Sequence, residues 1–539
     1  MRYLFAPVVL LLCFTGLASC SDKDEHYDVS SEVSGRISLW EMISQQPEIS
    51  TFASLLQRYS YDKILSGKEV YTVWAPQNDA LADIDPEDSL AVTRMIITHI
   101  ARASHPATGS ISASPEVYML NAKKLQFLRT GDDSYTLDGV PLQSKNRAAK
   151  NGVLHTLDGR VSFFPNIWQT MEEADFESIR NYLYAFSKRE FVPGSSTQID
   201  YNEDGMIVYD SIFDIRNEMW SVARGAKGIG WLNNEDSIYT MILPTNQAWQ
   251  ETYERYYPLF KPDPYYTNPD SIQHLNTQYS IVQDLVFRGA ITSPSSYGVN
   301  DSIVSTRGAV IKNPSRIFEG SVQRRTSNGW VYATSQLRYD MTDTYVKPIR
   351  IEAEQSKIWH NETSDQGYLA YQYMPDNPAV SNGGFLYIRD NGTSSATQPS
   401  VSIEIPGLLA TKYDISVSFL APVDVNPSSI DTTVTRVKFE VQRWTRLGPK
   451  TESKNWVTVP GTQMSDNTSP KFVTYKRKTH LLKATEKGAF EFPFANFNET
   501  DNVYRLKITA YTERTDQQSK TDKFRKDMRI DYLLFEPSN

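Results

Sequence analysis

Two stretches a third of the chain apart carry one pattern, and a repeat at that scale limits the fold more than any local propensity. The first is VYTVWAPQNDAL (70–81) and the second is IYTMILPTNQAW (238–249). Setting Pro76 against Pro244 brings Tyr71 onto Tyr239, Thr72 onto Thr240, Asn78 onto Asn246 and Ala80 onto Ala248. Each copy reads as a strand of β-branched and aromatic residues stopped by proline. The asparagine two positions on is placed to cap a helix that begins at the alanine. A second mark follows each copy: AKNGVLHTLDGRV (149–161) and TSNGWVYATSQL (326–337). Asn151 lies 75 residues after Pro76, and Asn328 lies 84 after Pro244. At both, Asn-Gly offers a tight turn with positive φ, and an alternating strand leaves it. Two marks in the same order at nearly the same spacing predict a duplicated domain.

The pattern resembles the fasciclin domain, whose signatures are T-V-F-A-P-T-N-x-A-F and a later N-G-x-x-H-x-I-D. The first copy fits both, through Thr72 to Pro76 and through Asn151, Gly152 and His155 to Asp158. The second keeps Pro244, Asn246, Asn328 and Gly329 but has Tyr332 and Thr334 where the family has His and Asp. The resemblance spans roughly Gly35 to Lys347. It implies α+β modules of wedge-like sheet and helices, a structural hydrogen bond for His155, and adhesion or extracellular binding in place of catalysis.

A chain of 539 residues exceeds one ordinary domain. Its net charge of −9 argues against a sequence-independent nucleic-acid binder. Arg2, the apolar run Leu4 to Phe14, and Leu17-Ala18-Ser19-Cys20 form a secretory start that matches the bacterial lipobox. Residues 1–19 are then a signal peptide and Cys20 carries the lipid. Cys13 falls within the removed peptide, so no disulfide is available. Residues 20–35 are polar and acidic, with too little apolar surface to fold. Asp22, Asp24 and Glu25 resemble the export signal of Bacteroidetes surface lipoproteins, which implies an outer-membrane protein facing the exterior.

Residues 36–168 and 169–347 are the expected fasciclin-like domains. In the first, Leu39, Met42, Ile43, Phe52, Leu55, Leu56 and Tyr59 recur at helical spacing, and Asp85 to Ala101 reads as another helix. FFPNIWQTM (163–171) closes that domain. In the second, Phe176, Ile179, Leu183 and Phe186 form an apolar stripe, and an insertion rich in Asp, Gly and Ser (193–209) precedes the repeat strand. The run 253–270 is crowded with tyrosine and proline. Its Tyr256, Tyr257, Tyr265 and Tyr266 are expected on an irregular loop that forms a contact surface or folds back onto its own domain.

From residue 348 to 539 the texture changes to short strands parted by Gly, Pro, Asn and Asp, which predicts an all-β sandwich. The opening I-E-A-E and the closing R-I-D-Y-L-L-F resemble the end strands of galactose-binding-like jelly rolls, the form of carbohydrate-binding modules. That resemblance implies a structural calcium held by Glu352, Glu354 and Asp531, hard oxygen ligands of the right kind. Glu352 and Glu354 are expected on one face of a strand. Candidates to stack on a sugar or dock a partner are Trp359 with Tyr371 or Tyr373 near it, then His360, Trp444 and Trp456.

The chain has seven histidines without H-E-x-x-H, and no G-x-S-x-G, Walker loop or dinucleotide fingerprint. The expected fold class is thus multidomain, two α+β fasciclin-like domains followed by a jelly-roll-like sandwich. The expected role is a non-catalytic, lipid-anchored surface protein that binds glycan or protein partners. It could serve as an accessory of a TonB-dependent channel with its lid lipoprotein (the SusC/SusD-like pair). The alternative is a glycoside hydrolase with two acids facing across a groove of the sandwich.

Overall fold

The structure is a computed structural model. It describes residues 35–108, 116–191, 197–201, 207–210, 213–221, 227–264, 268–359, 367–389, 398–429, 435–446, 454–459, 473–475, 481–484, 488–496, 504–510 and 526–538. Cys20, its acidic neighbours, Tyr265, Tyr266 and His360 lie outside the described residues. Among the described residues no helix is long and apolar enough to cross a membrane. The chain divides into two compact units, meeting in sequence at Phe163 and Phe164.

The first unit opens with helices α1 (Leu39–Ser44), α2 (Ser50–Arg58) and α3 (Tyr61–Leu65), followed by strand β1 (Tyr71–Pro76). Helix α4 (Ser89–Thr98) comes next, then β2 (Ile100–Arg102), β3 (Glu116–Tyr118), β4 (Lys124–Arg129), β5 (Tyr135–Leu137), β6 (Val140–Ala149) and β7 (Gly152–Leu157). They form one sheet in the order β2-β1-β7-β6-β5-β4-β3, with β1 and β7 parallel. Tyr71, Val73 and Ala75 face a core made with α1, α2 and α4, while Trp74 faces a second core with Phe127 and Leu137. Burial on both faces is why β1 and β7 read as apolar runs, and β7 does not alternate as expected. Helix α4 starts later than the expected Asp85 because Asp88 caps it by accepting from the Ala91 N–H.

The second unit repeats this skeleton. Helices α5 (Ile167–Thr170) and α6 (Glu177–Tyr184) lead to strands β8 (Ser187–Phe191), β9 (Thr197–Tyr201), β10 (Ile207–Asp210) and β11 (Phe213–Asn217) of the insertion. Strand β12 (Tyr239–Pro244) is followed by α7 (Asn246–Tyr256), α8 (Pro269–Val282), β13 (Val286–Arg288), β14 (Ser302–Val304) and β15 (Val310–Lys312). Helix α9 (Ser315–Phe318), β16 (Val322–Thr326) and β17 (Gly329–Thr334) complete it. The sheet order is β13-β12-β17-β16, and Tyr239 pairs with Gly329 as Tyr71 pairs with Gly152. In both copies the proline ends its strand opposite the sixth residue of the parallel partner: Leu157 in one, Thr334 in the other. Thr334 therefore stands where the first copy has Leu157, and not at the position of the signature Asp.

Two further expectations are corrected here. FFPNIWQTM does not close the first copy: the Asn328 side chain accepts the N–H of Ile167, so α5 belongs with the second. Asn78 and Asn246 do not cap the helices that follow them. Asn78 starts a 3₁₀ turn after Gln77, and the cap of α7 is Thr245, which accepts from the Ala248 N–H. Each asparagine instead reaches back to an earlier helix. Asn78 accepts from the Thr51 N–H (2.9 Å) at the start of α2, and Asn246 from the Ser178 N–H (2.8 Å) at the start of α6.

After Lys347 come β18 (Ile349–Glu352), β19 (Ile358–Trp359), β20 (Tyr368–Tyr373), β21 (Gly384–Arg389), β22 (Ser400–Ile405), β23 (Lys412–Phe419) and β24 (Thr435–Arg446). Strands β25 (Lys454–Thr458), β26 (Val473–Tyr475), β27 (Leu481–Lys483), β28 (Phe490–Glu491), β29 (Tyr504–Ala510) and β30 (Met528–Pro537) follow. They make two antiparallel sheets, β20-β21-β30-β23-β27 with β18 and β28 attached, and β19-β22-β29-β24-β25 with β26 attached. One apolar core is shared between them: Ile415, Val417 and Leu533 from the first sheet meet Ile403, Phe439 and Leu506 from the second.

Candidate functional site

The signature residues build a buried scaffold, not an open site. Asn151 accepts from the Leu39 N–H (2.8 Å) and donates to the carbonyls of Leu65 (2.9 Å) and Gly67 (3.1 Å). Asn328 does the same with Ile167 (2.9 Å), Leu232 (2.9 Å) and Asn234 (3.2 Å). The turn that each occupies is Lys150-Asn151 or Ser327-Asn328, because Ala149 pairs with Gly152 and Thr326 with Gly329. Only the glycine of each Asn-Gly has positive φ, +148° and +137°. A Cβ there would lie 1.8 Å from the carbonyl oxygen of Tyr71 or Tyr239, so no other residue fits.

His155 is buried, stacked on Trp74 with ring centres 5.5 Å apart. Its Nδ1 accepts from the Asn146 N–H (3.3 Å), which leaves Nε2–H to donate to the His105 carbonyl (3.0 Å). Burial pushes this imidazole down to about 4. Tyr332 takes its place in the second copy and donates its hydroxyl to the Ile291 carbonyl (2.7 Å). Thr72 and Thr240 match as well, each donating to a carbonyl and accepting an N–H from the segment after the edge strand.

The tyrosine and proline run is largely internal to the unit. Tyr256 is buried on α7 with its ring 4.4 Å from that of Tyr345, and Tyr257 is half-buried against Tyr253. The helix continues further than the prolines suggested because Pro258 falls in the 3₁₀ turn after it. Residues 259–263 then meet the carboxy-terminal sheets. Ala410 N–H donates to Leu259 O (2.8 Å), Ala495 N–H to Lys261 O (2.7 Å), and the buried Asp263 pairs with Arg443 (3.2 Å).

Tyr371 and Tyr373 stand exposed, at 46% and 68%, on the edge strand β20. Trp359 ends β19, an edge strand of the other sheet, opposite Ser402. The structure therefore does not place Trp359 and the two tyrosines on one sheet.

The acids do not share a strand face as expected. Strand β18 ends at Glu352, and Glu354 sits in a 3₁₀ turn, so strand alternation does not align them. Glu352 is held by Arg350 Nε (2.7 Å) and Glu354 by Asn382 (2.8 Å), while each keeps one buried oxygen without a hydrogen-bond partner among the described residues. Asp531 is buried, and burial raises it to about 6 although the Ser381 N–H (2.9 Å) donates to it. Glu352 is among the charges that raise Asp531, and among the described residues no three His, Cys, Asp or Glu side chains gather into one cluster. A groove of 370 Å³ is lined by Arg350, Glu352, Gln355, Ser356, Lys357 and Glu404. Its carboxylates are tied to cations, Glu352 to Arg350 and Glu404 to Lys357 (3.2 Å).

Residues 47–161 match the family model of the fasciclin domain, so the first unit contains such a domain. None of the curated proteins matches the chain. Among solved structures, a FAS1 domain pair from the insect cell adhesion molecule Fasciclin I is 14% identical, with 55% of this chain and 98% of that one covered at a TM-score of 0.21. The CBM22-2 xylan-binding domain of Paenibacillus barcinonensis Xyn10C is 10% identical, with 35% and 99% covered at 0.22. A Paenibacillus xanthan lyase is 12% identical, with 39% of this chain but 16% of its own covered at 0.19. Overlaps at this level carry no weight for fold or function.

Proposed function

We propose that this is a non-catalytic, lipid-anchored surface protein that binds glycan or protein partners. In this reading it has two fasciclin-like domains and a jelly-roll-like carboxy-terminal sandwich. Cys20 holds it to the outer membrane, facing outward, and a SusC/SusD-like channel pair is its neighbour. The observation that carries the binding reading is the pair Tyr371 and Tyr373, large rings left in solvent on a strand that has one paired neighbour among the described residues. Such rings stack on the apolar face of a sugar or anchor a protein contact at little entropic cost. Carboxylates locked in ion pairs with Arg350 and Lys357 suit a fixed polar lining better than proton transfer. A glycan array with the intact soluble chain, Tyr373→Ala as control, tests the sugar version. Retention lost in the variant supports it. No retention by the wild type, with a TonB-dependent channel recovered alongside the native lipoprotein, favours the protein partner.

A further inference from the structure

We infer that the first fasciclin copy, and not the second, is held closed by an acid-sensitive latch made of His99 and His155. Both rings are buried, and in each the two nitrogens are committed to main-chain groups of opposite kind. His99 donates from Nδ1 to Met95 O (2.8 Å) at the end of α4, and its Nε2 accepts from the Val161 N–H (3.1 Å). That second bond ties the strap after β7 to the helix. His155 accepts from Asn146, a positive-φ residue in the irregular middle of β6, and donates to the loop at His105. Asn146 in turn clamps that loop by accepting from the Ala107 N–H (2.6 Å) and donating to Ala107 O (3.2 Å).

A proton on either ring turns its one acceptor into a donor aimed at an N–H. The bond is then lost and a cation is left in an apolar pocket. Among the described residues no carboxylate bears on either ring. Arg160, from the strap itself, is the charged group that bears on His99, while Phe52 of α2 and Met95 of α4 bring none. Arg160 is held by both oxygens of Asp83 (2.9 and 3.1 Å). His105 is the titratable neighbour of His155, and Trp74 of β1, Phe127 of β4 and Asn146 of β6 are uncharged. Burial pushes both imidazoles down to about 4.

The second copy is the internal control. Trp74 N–H donates to the carbonyl of His99 as Ile242 N–H does to that of Leu285, so leucine stands where His99 does. Tyr332 replaces His155. The same skeleton therefore closes without an imidazole. For a group whose folded value lies below its free value, stability is complete above about 6.5 and falls as pH drops toward 4. By pH 5 each histidine shifts the balance toward opening by about thirtyfold.

Hydrogen exchange of the intact chain, read as protection factors from pH 7.5 to 4.5, tests this. The expected result is loss of protection at Asn146, Val161 and their flanks below pH 6, with residues 282–291 and 322–334 unchanged. His99→Gln with His155→Gln keeps an acceptor and a donor without a titration, and should hold protection through pH 4.5. If the double variant is unfolded at pH 7.5, the wild type is followed by imidazole NMR. Both rings should then resist protonation until the first copy opens. Equal loss in both copies, the wild-type loss of protection persisting in the double variant, or a ring of His99 or His155 titrating near 6.5 without structural change overturns the latch.

Discussion

At the scale of single residues, the glycines after Asn151 and Asn328 are the least replaceable of the described glycines. Each combines positive φ with a carbonyl oxygen at 1.8 Å from any added Cβ. Gly152→Ala and Gly329→Ala should each cost about 2–4 kcal/mol, read as a fall in the denaturant midpoint of the affected copy alone. The same substitution at Gly139, whose added Cβ would meet nothing within 4 Å, keeps only the φ penalty and should cost about 1 kcal/mol. Much of this was legible in the chain. Asn-Gly announces a special backbone, and Pro76 and Pro244 mark strand ends. What the text of the chain does not show is distance. Nothing near Asn78 says that its side chain will serve a helix begun 28 residues earlier, because that partnership exists only once the sheet has formed.

At the scale of elements, the two copies share a device that local reading missed. Ser38 with Glu41 and Asn166 with Gln169 are capping boxes at the start of α1 and α5, and SLWEMI and NIWQTM align as openly as the two strands do. Read together, they would have started the second copy at Asn166. The remote caps carry a prediction of their own. Asn78→Ala strips the Thr51 N–H and the Pro47 carbonyl of their partner, and Asn246→Ala strips Ser178 and Ala174. Each should destabilise its copy by about 1–2 kcal/mol, with loss of exchange protection concentrated in the first turn of α2 or α6. Loss spread evenly through the helix following the asparagine would contradict the assignment. A related effect governs the tyrosine run: Tyr256 does fold back onto its own domain, but on α7 in place of an irregular loop, because its helical spacing is concealed by the proline two residues later.

At the scale of the molecule, the second copy of the repeat and the carboxy-terminal sheets are bonded through residues 259–263. Arg443→Ala would leave Asp263 buried without this cation and should cost about 3 kcal/mol, measured by urea unfolding of the intact chain. Asp263→Asn with Arg443→Met should recover most of it, since no lone charge then remains. Composition and strand rhythm identified this last third as all-β. Neither could show that its exposed rings and Trp359 would be divided between two sheets, since that depends on strand pairing across more than a hundred residues.

The insertion between α6 and β12 has a practical meaning. Copy two lengthens its chain there by an arm of four strands, yet Asn328 still finds the carbonyls of Leu232 and Asn234. Copy one makes the same crossing with only α3 between, and Asn151 finds Leu65 and Gly67. Closing a longer loop is cheap, about 0.6 kcal/mol per doubling, provided its ends return to the same asparagine. The turn at Ser60, already left-handed and ahead of both carbonyls, is thus where a label or an entire foreign domain should be accepted by the first copy with its sheet intact.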